Sequence, residues 1–586
     1  MRTLVETKIV VGQRGAFHLD RPLSSIRVPA TVQTMLAARI DRLSAEEKKL
    51  LQTAAVIGRE FSLPLLEASM RPEGGDLGTG IARLQSAEFL YESSLFPEIE
   101  YTFKHVLTQE VAYDSLLIDR RRALHARILE TIEGFSADRL ASEAEHLAHH
   151  AFRGEVWDKA ARYMRQAGTR SLARSASREA AAFFEQALVA LEHLPADHPR
   201  MEEAIDVRLD LRQALVPLAE RSRILDQMQK AEAMARTLGD QRRLSWIAYA
   251  LAHYHYLSND QEETVKAGHR ALELSGGTDV AHGVAVNLLL GYSFHMTGDY
   301  PQAVAVLRRN VDVLSGDRVR ERFGLPIFPT YPSVTSRERL VRCLGELGEF
   351  DEAMRLGDEA LRLAEELDHA PSFTAICLGL GMLLMRREAL DRAMPILERG
   401  MDVGRRGSIY LYVFSLIGAV GRVRALTGRL EEGIGMMTEV VEEAASKNSP
   451  LGQAVRLGWL AEGHLVAGDL PRAWQRAQES LEFARRFHEK GQEVWALHLL
   501  GDVAARREPA DLDTPARLYE EAMTLGAKLQ MRPALAHCRL GLGELHARAG
   551  RHDLAEPHLA AAVALFGEMG IPSLRDRAAR QRLRPE

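Results

Sequence analysis

Several protein classes are excluded by what this sequence has little of. Its three cysteines, Cys343, Cys377 and Cys538, lie far apart with no paired spacing, which excludes a cysteine metal cluster and suits a reducing cytoplasm, where each thiol packs as a small hydrophobe. Neither charge dominates: 75 Lys plus Arg against 81 Asp plus Glu leave a net charge of -6. That balance is not the electrostatic footprint of a nucleic-acid binder. The longest apolar runs, residues 409–420 and 376–385, are shorter than the roughly 20 residues that span a bilayer, so they read as buried helices and no membrane partner is expected. No apolar h-region follows Met1, so no secretory signal is expected. The dipeptide Gly-Lys occurs nowhere, which excludes a P-loop, whose lysine must reach the outer phosphates. No apolar strand ends in paired acids that would hold Mg²⁺. The chain is therefore expected to be non-catalytic, to hold no cofactor of its own and to reside in the cytoplasm.

What is present is ordinary globular material, 46% hydrophobic and 27% charged, in a length too great for one ordinary core. Within it one short stretch recurs. Residues 347–353, Leu-Gly-Glu-Phe-Asp-Glu-Ala, read as a helix end, a glycine turn and a new helix. Gly298 leads in the same way to Ala303, Gly428 to Gly433, Gly468 to Ala473 and Gly550 to Ala555, the small residue falling five positions after the glycine each time. The markers Thr264, Ala303, Ala353, Ala393, Gly433, Ala473, Ala516 and Ala555 are separated by 39, 50, 40, 40, 40, 43 and 39 residues. A fixed frame of this kind is a helical-repeat array with a period of about 40, longer than the usual tetratricopeptide. Twelve residues before most markers an apolar residue precedes a small one, as in Leu290-Gly291, Leu380-Gly381 and Leu542-Gly543, and seven after come Ala360, Gly400, Ser480 and Ala562. Small groups there let antiparallel helices approach closely while leucines fill the seam. HEAT-type arrays share a similar period, but the glycine-acid-aromatic turn followed by Ala favours tetratricopeptide-like packing. A protein, a peptide or a small ligand on the repeat surface is the expected partner.

The N-terminal part has a different texture. Residues 8–19 read as a hairpin bent at residues 12–15, and helical spacing begins at residue 31. Ser44 with Glu47 three residues later matches a capping box opening an apolar helix. The glycine-rich stretch 74–80 has no lysine and follows no strand, so it reads as a linker before a third helix carrying Ile81, Leu84 and Ala87. Two short strands, residues 89–92 and 101–103, complete three helices and a two-stranded wing, the order of a winged helix. Arg83 is the only basic residue of the third helix, which argues against a DNA-reading transcription regulator. The histidines His146, His149 and His150 could share one helix face, yet no carboxylate or cysteine completes a zinc motif.

Residues 31–55, the stretch Phe103-Lys104-His105 and residues 120–125 resemble the region that follows the nucleotide-binding domain in STAND-type signalling ATPases. More narrowly, the chain is similar to large bacterial proteins that join an adenylate/guanylate cyclase domain, an AAA-like ATPase and a tetratricopeptide tail. The resemblance covers essentially the whole chain but begins after the family's catalytic parts. It implies a mostly all-α protein: residues 1–29 as a remnant of an ATPase lid, residues 30–137 as a winged-helix coupling domain, and residues 138–586 as an α-α superhelix. ATP or ADP and Mg²⁺ would enter only through an upstream domain, a nucleotide-binding domain in cis or in trans being the second partner. The resemblance also places His105 where a winged-helix histidine can touch a nucleotide phosphate and report its presence; a histidine that satisfies a local backbone group at a helix start is the other reading. A stand-alone adaptor with no nucleotide chemistry remains the alternative for the whole chain.

The 50-residue step is the irregular one, and insertions in solenoids often mark a working face. It contains Arg318, Arg320, Arg322 and Phe323, passes Pro326, Pro329, Tyr331 and Pro332, and ends at Arg337. These arginines and aromatics are candidate ligand- or partner-binding residues; a rigid structural crossover is the competing reading. The 43-residue step reads as a lengthened turn, and the Arg-rich tail as a cap.

Overall fold

In the computed structural model the described residues are 10–13, 16–19, 30–70, 77–94, 98–134, 144–323, 330–446, 452–507 and 511–582. They form two compact units, residues 1–227 and 228–586. The boundary expected at residue 137 falls outside the described residues, as do the start of the glycine-rich stretch, at 74–76, and part of the 50-residue step, at 324–329.

The first unit opens with the expected hairpin, β1 (Val10–Gln13) paired antiparallel with β2 (Ala16–Leu19). Helix α1 (Ala30–Asp41) is followed by α2 (Ala45–Ile57), whose capping box is complete: the Glu47 amide donates to Ser44 Oγ at 3.2 Å, and the Ser44 amide donates to Glu47 Oε2 at 3.0 Å. Next come β3 (Glu60–Ser62), α3 (Leu63–Met70), α4 (Leu77–Ser86), β4 (Leu90–Ser94) and β5 (Glu100–Phe103). The sheet has three strands in the order β3-β5-β4, one more than the sequence reading expected. The three residues of β3 are too few to show a period of two, which is why they escape a pattern search. One expectation is corrected: Gly78 and Gly80 belong to α4, not to a linker. A Cβ on Gly80 would stand 3.0 Å from Leu50 Cδ2, so the glycine serves the approach of α4 to α2. Leu51, Leu66, Leu84 and Phe103 fill the core between helices and sheet.

Helices α5 (Val106–Asp114) and α6 (Ile118–Glu133) lead to α7 (Ala144–Arg153), α8 (Trp157–Ala173), α9 (Ser177–Glu192) and α10 (His198–Leu215). Helix α11 (Arg221–Leu238) carries the boundary between the units. His150 turns inward and its Nδ1 meets His125 Nδ1 at 2.9 Å, while the Tyr113 hydroxyl lies 3.1 Å from His125 Nε2. Two ring nitrogens this close share one proton, and burial pushes His125 down to about 3, so the pair stays neutral. Among the described residues no group of three or more side chains could hold a metal ion.

The second unit is a regular array of helix pairs. Its inner helices are α12 (Gln241–Leu257), α14 (Val280–Thr297), α16 (Pro332–Leu347), α18 (Ala370–Arg386), α20 (Tyr410–Leu426), α22 (Gln453–Val466), α24 (Lys490–Ala504) and α26 (Arg532–Arg548). Their partners are α13 (Gln261–Ser275), α15 (Tyr300–Val313), α17 (Phe350–Glu366), α19 (Leu390–Arg406), α21 (Leu430–Ser446), α23 (Leu470–Arg486), α25 (Asp513–Lys528) and α27 (His552–Glu568), with α28 (Pro572–Arg582) closing the last pair. Each inner helix packs on its own partner and on the next inner helix. The inner helices therefore build a continuous wall.

That wall curls until it meets itself. Helix α14 touches α24, and α16 touches α26, so five pairs make about one turn. The contact is specific: Trp495 Nε1 donates to Glu346 Oε2 at 2.9 Å, Arg532 Nη1 donates to Glu349 Oε1 at 3.3 Å, and Gly348 lies against Met569. No described helix is long and apolar enough to cross a membrane.

Small residues set the approach within each pair. A Cβ added at Gly291 would fall 2.7 Å from Leu307 Cδ2, and one at Gly543 would fall 2.6 Å from Leu559 Cδ2. Alanine in a helix interior is worth about 0.5–1 kcal/mol over glycine, whereas overpacking a tight seam costs about 1–3 kcal/mol; the second effect wins here. Gly291→Ala is therefore expected to destabilise the second unit by about 1–2 kcal/mol in urea unfolding. In a Leu307→Ala background the same change is expected to stabilise by about 0.5–1 kcal/mol. Equal effects in both backgrounds would refute the seam as the cause.

Candidate functional site

The repeat register predicts which side chains face the enclosed interior. Eleven residues before the markers Ala303, Ala353, Ala393, Gly433, Ala473 and Ala555 stand Tyr292, Arg342, Met382, Arg422, Glu462 and Glu544, and seven before them stand Met296, Glu346, Arg386, Leu426, Val466 and Arg548. All twelve line two adjoining cavities of about 430 and 110 Å³, which share Arg342, Met382, Val455 and Gln492 as a common border. Four residues is about one helical turn, so both positions fall on one stripe of each inner helix.

The larger cavity is crossed by ion pairs between helices. Arg386 on α18 meets Glu346 on α16 at 2.8 Å, Arg422 on α20 meets Glu462 on α22 at 2.5 Å, and Arg577 on α28 meets Glu544 on α26 at 2.7 Å. The Arg386 guanidinium also lies 3.6 Å from the centre of the Trp495 ring. His498 and His537 stand at 5.6 Å centre to centre beside that ring. Burial, with His498 and Arg386 beside it, keeps His537 well below the ordinary imidazole range, so its ring is neutral. The Tyr519 hydroxyl donates to Asp502 Oδ1 at 2.6 Å.

At two turns on this wall a non-glycine residue takes the left-handed place of the glycine, Asn259 before Thr264, with φ +62°, and Glu388 before Ala393. Glu388 stands five residues before Ala393, where Gly298, Gly348, Gly428, Gly468 and Gly550 stand before their markers, and it has φ +58°. A non-glycine residue there costs about 1–2 kcal/mol, and this one places a carboxylate at the rim of the larger cavity.

The smaller cavity is where charge is least compensated. Arg339 and Arg342, both on α16, approach the buried Glu338 carboxylate no closer than 3.7 and 3.8 Å. Among the described residues Arg342 makes no hydrogen bond, though its side chain is only 19% exposed. Arg339 stacks over the Tyr292 ring at 4.0 Å, and its Nε has no acceptor. Tyr256, Tyr300 and Tyr412 complete an aromatic enclosure. Burial pushes Tyr256 up to about 12, and burial together with Arg342 and Arg339 holds His295 well below the usual imidazole range. Glu489 faces the same space; burial raises its carboxyl to about 7 against the pull of Arg342 and Arg456.

The residues singled out from sequence are placed differently. His105 is exposed at the start of α5, where its side chain caps nothing and its carbonyl accepts from the Thr108 amide at 2.9 Å. Arg318 and Arg320 are exposed on a 3₁₀ turn, Gly316–Arg320, and Arg322 lies over the Tyr331 ring at 5.3 Å. Phe323 and Tyr331 pack against the repeat core, and the Tyr331 amide donates to Ser372 Oγ at 2.9 Å. Arg337 is buried: it pairs with Glu359 at 2.8 Å, and its Nη1 donates to the Ser333 carbonyl at 3.0 Å. This stretch is tied to its own repeats, and the polar wall begins one turn of α16 beyond Arg337. Arg342 and Glu346 carried a usable signal, charged residues at repeat positions flanked by Val341 and Cys343 and by Gly345 and Leu347; Arg339 carried none.

The raised Glu489 carboxyl has a definite consequence. Its ordinary value is 4.5 and its folded value about 7, so the folded chain retains a proton that the unfolded chain releases. That contribution to stability is complete below pH 4.5 and lost as pH rises through about 7. Glu489→Gln is expected to match the parent near pH 4.5 and to exceed it by about 1–3 kcal/mol at pH 8 in urea unfolding. A less stable variant at pH 8 would instead make Glu489 an ionised partner of Arg342.

No protein-family model matches the chain. An uncharacterized protein of Rhizobium meliloti (strain 1021) is 30% identical over 157 residues, 27% of this chain, and the matched part spans only 15% of that protein's length. Among solved structures, a signal transduction ATPase with numerous domains bearing a tetratricopeptide repeat sensor, from Pyrococcus horikoshii, is 11% identical with a TM-score of 0.47, covering 81% of this chain and 69% of that one. A Rap protein complexed with competence and sporulation factor is 12% identical with a TM-score of 0.45, covering 67% of this chain and 99% of that one. Identities this low, with TM-scores under 0.5, assign neither family nor function.

Proposed function

We propose that this chain is the non-catalytic regulatory region of a STAND-type signalling ATPase, cyclase-linked in its complete form. In this reading residues 228–586, a tetratricopeptide-like superhelix, receive a ligand or partner, and residues 30–137, a winged helix, pass the signal to a nucleotide-binding domain in cis or in trans. The observation that carries it is the enclosed polar interior of the second unit. Charged side chains taken out of water add little or nothing to stability compared with apolar packing, so a wall of them around a cavity is suited to recognition. The alternation of short strands and helices around β5 supports the winged-helix reading, and the exposed imidazole of His105 at the start of α5 is free to reach a phosphate. An imidazole there would donate to the phosphate. Cytoplasmic residence belongs to the same reading.

Two outcomes test it. The purified chain incubated with Mg²⁺ and ATP or GTP is expected to release no phosphate and to form no cyclic nucleotide; turnover abolished by a substitution within the chain would overturn the non-catalytic assignment. In the P-loop-bearing protein, His105→Ala is expected to change ADP retention at least about threefold, the scale of one neutral-to-charged hydrogen bond; unchanged retention would remove His105 from the coupling.

A further inference from the structure

The polar wall is nearly balanced in the larger cavity and unbalanced in the smaller one. Arg386, Arg422 and Arg577 each have a carboxylate at 2.8 Å or less. Arg342 has only Glu338, held beyond hydrogen-bond distance at 3.8 Å, while Arg339, 3.7 Å from the same carboxylate, is hydrogen-bonded to the Tyr292 side chain. Arg339 Nε is buried without an acceptor, in a residue 8% exposed. Buried guanidinium N–H groups left without acceptors are costly, and a planar fork of donors matches the two oxygens of a carboxylate or the oxygens of a phosphate. Glu489, the other carboxyl on this cavity, is raised by its burial to about 7, so below that pH it is protonated and does not cancel the positive charge. Immediately beyond Arg342 the shared border opens onto Met382, Leu426, Val455, Trp459 and Val466, an apolar patch of the larger cavity.

We propose that the interior of the second unit binds a small organic oxyanion, a carboxylate or phosphate monoester carrying an apolar or aromatic body. Its charged group docks on Arg342 with Arg339 behind it, and its body lies along Met382 and Trp459. This deepens the proposed sensor role and rests on that reading for its biological meaning, but the binding itself belongs to this chain alone. The neighbouring groups fit the same ligand: the tyrosine hydroxyls of the smaller cavity can donate to an oxyanion, and the neutral His295 leaves Arg342 and Arg339 as the cations that face it.

The test titrates the intact chain, in low chloride at about pH 6, where Glu489 is protonated, with phenylacetate, phenyl phosphate and the uncharged phenylacetamide, read by calorimetry and by tryptophan fluorescence. Saturable binding of either anion, at least about tenfold tighter than the amide, is expected from a charge-assisted contact in a desolvated site. The anion that binds tighter names the class, carboxylate or phosphate. Arg342→Gln is expected to weaken the anion by at least about tenfold and to leave the amide unchanged, whereas Arg405→Gln, on the exposed end of α19, is expected to change neither. Anion and amide binding alike in the parent chain would overturn the proposal even if Arg342→Gln fails to fold, and so would anion binding that survives Arg342→Gln, or the absence of saturable binding by all three probes. Oxyanion binding without any effect on nucleotide handling in the P-loop-bearing protein would defeat the sensor reading and leave the site standing; no binding here would defeat the site without touching the coupling assigned to His105.

Discussion

The close approach of each inner helix to its partner is the constraint on which the second unit depends. Glycines such as Gly291, Gly381 and Gly543 admit a leucine from the facing helix where a Cβ would collide with it. Close approaches repeated from pair to pair set the angle between successive pairs, and the accumulated rotation brings α14 onto α24 and α16 onto α26. Per-repeat geometry of this kind decides the pitch of a solenoid. A looser seam would open the coil, and Trp495 would no longer reach Glu346.

Closure changes the character of the inner wall. In an open array the residues eleven and seven before each marker would be solvated and of little energetic consequence. In the closed coil they are desolvated, and the charges among them must be paired or left at a cost. Helix α16 shows this most sharply: Arg337, Glu338, Arg339 and Glu346 are all buried. Arg337 and Glu346 are fully engaged with Glu359, Arg386 and Trp495. Arg342 makes no hydrogen bond among the described residues, and Arg339 reaches the Tyr292 side chain rather than a carboxylate; this difference along a single helix is the basis of the proposed anion site. The strained turn at Glu388, on the same wall, belongs to the kind of local cost that folds retain where a side chain is needed for something other than stability.

Much of this architecture is written in the sequence because it repeats. The glycine turns, the markers and the small-residue seams are local and periodic, so Gly348, Ala353 and Gly381 announce helix ends and contacts without any knowledge of the coil. The capping box at Ser44 and the hairpin near Gly12 are legible for the same reason, since each is closed by residues a few positions apart. The third strand, β3, was not, because Glu60 pairs with Thr102 far along the chain and three residues carry no period. The cavity was hidden for a different reason. The insertion before α16 drew attention to Arg318, Phe323 and Tyr331, the unusual residues of the sequence, while the interior is built by usual positions carrying unusual side chains. Arg342, Arg422 and Glu462 become visible only when the repeats are laid in register and the polar substitutions on one stripe are read down the column. That the stripe faces an enclosed space depends on the coil closing, which no local pattern encodes.

The account therefore turns on closure, and one measurement addresses it directly. Glu349 and Arg532 lie on opposite sides of the junction, and the native cysteines are buried. A short bis-maleimide added to the Glu349→Cys/Arg532→Cys chain is predicted to give an intramolecular link in the monomer at high yield, detected by mass spectrometry of the digested product. A chain that forms no such link, or links only between molecules, would contradict the closed coil and with it the enclosed polar interior.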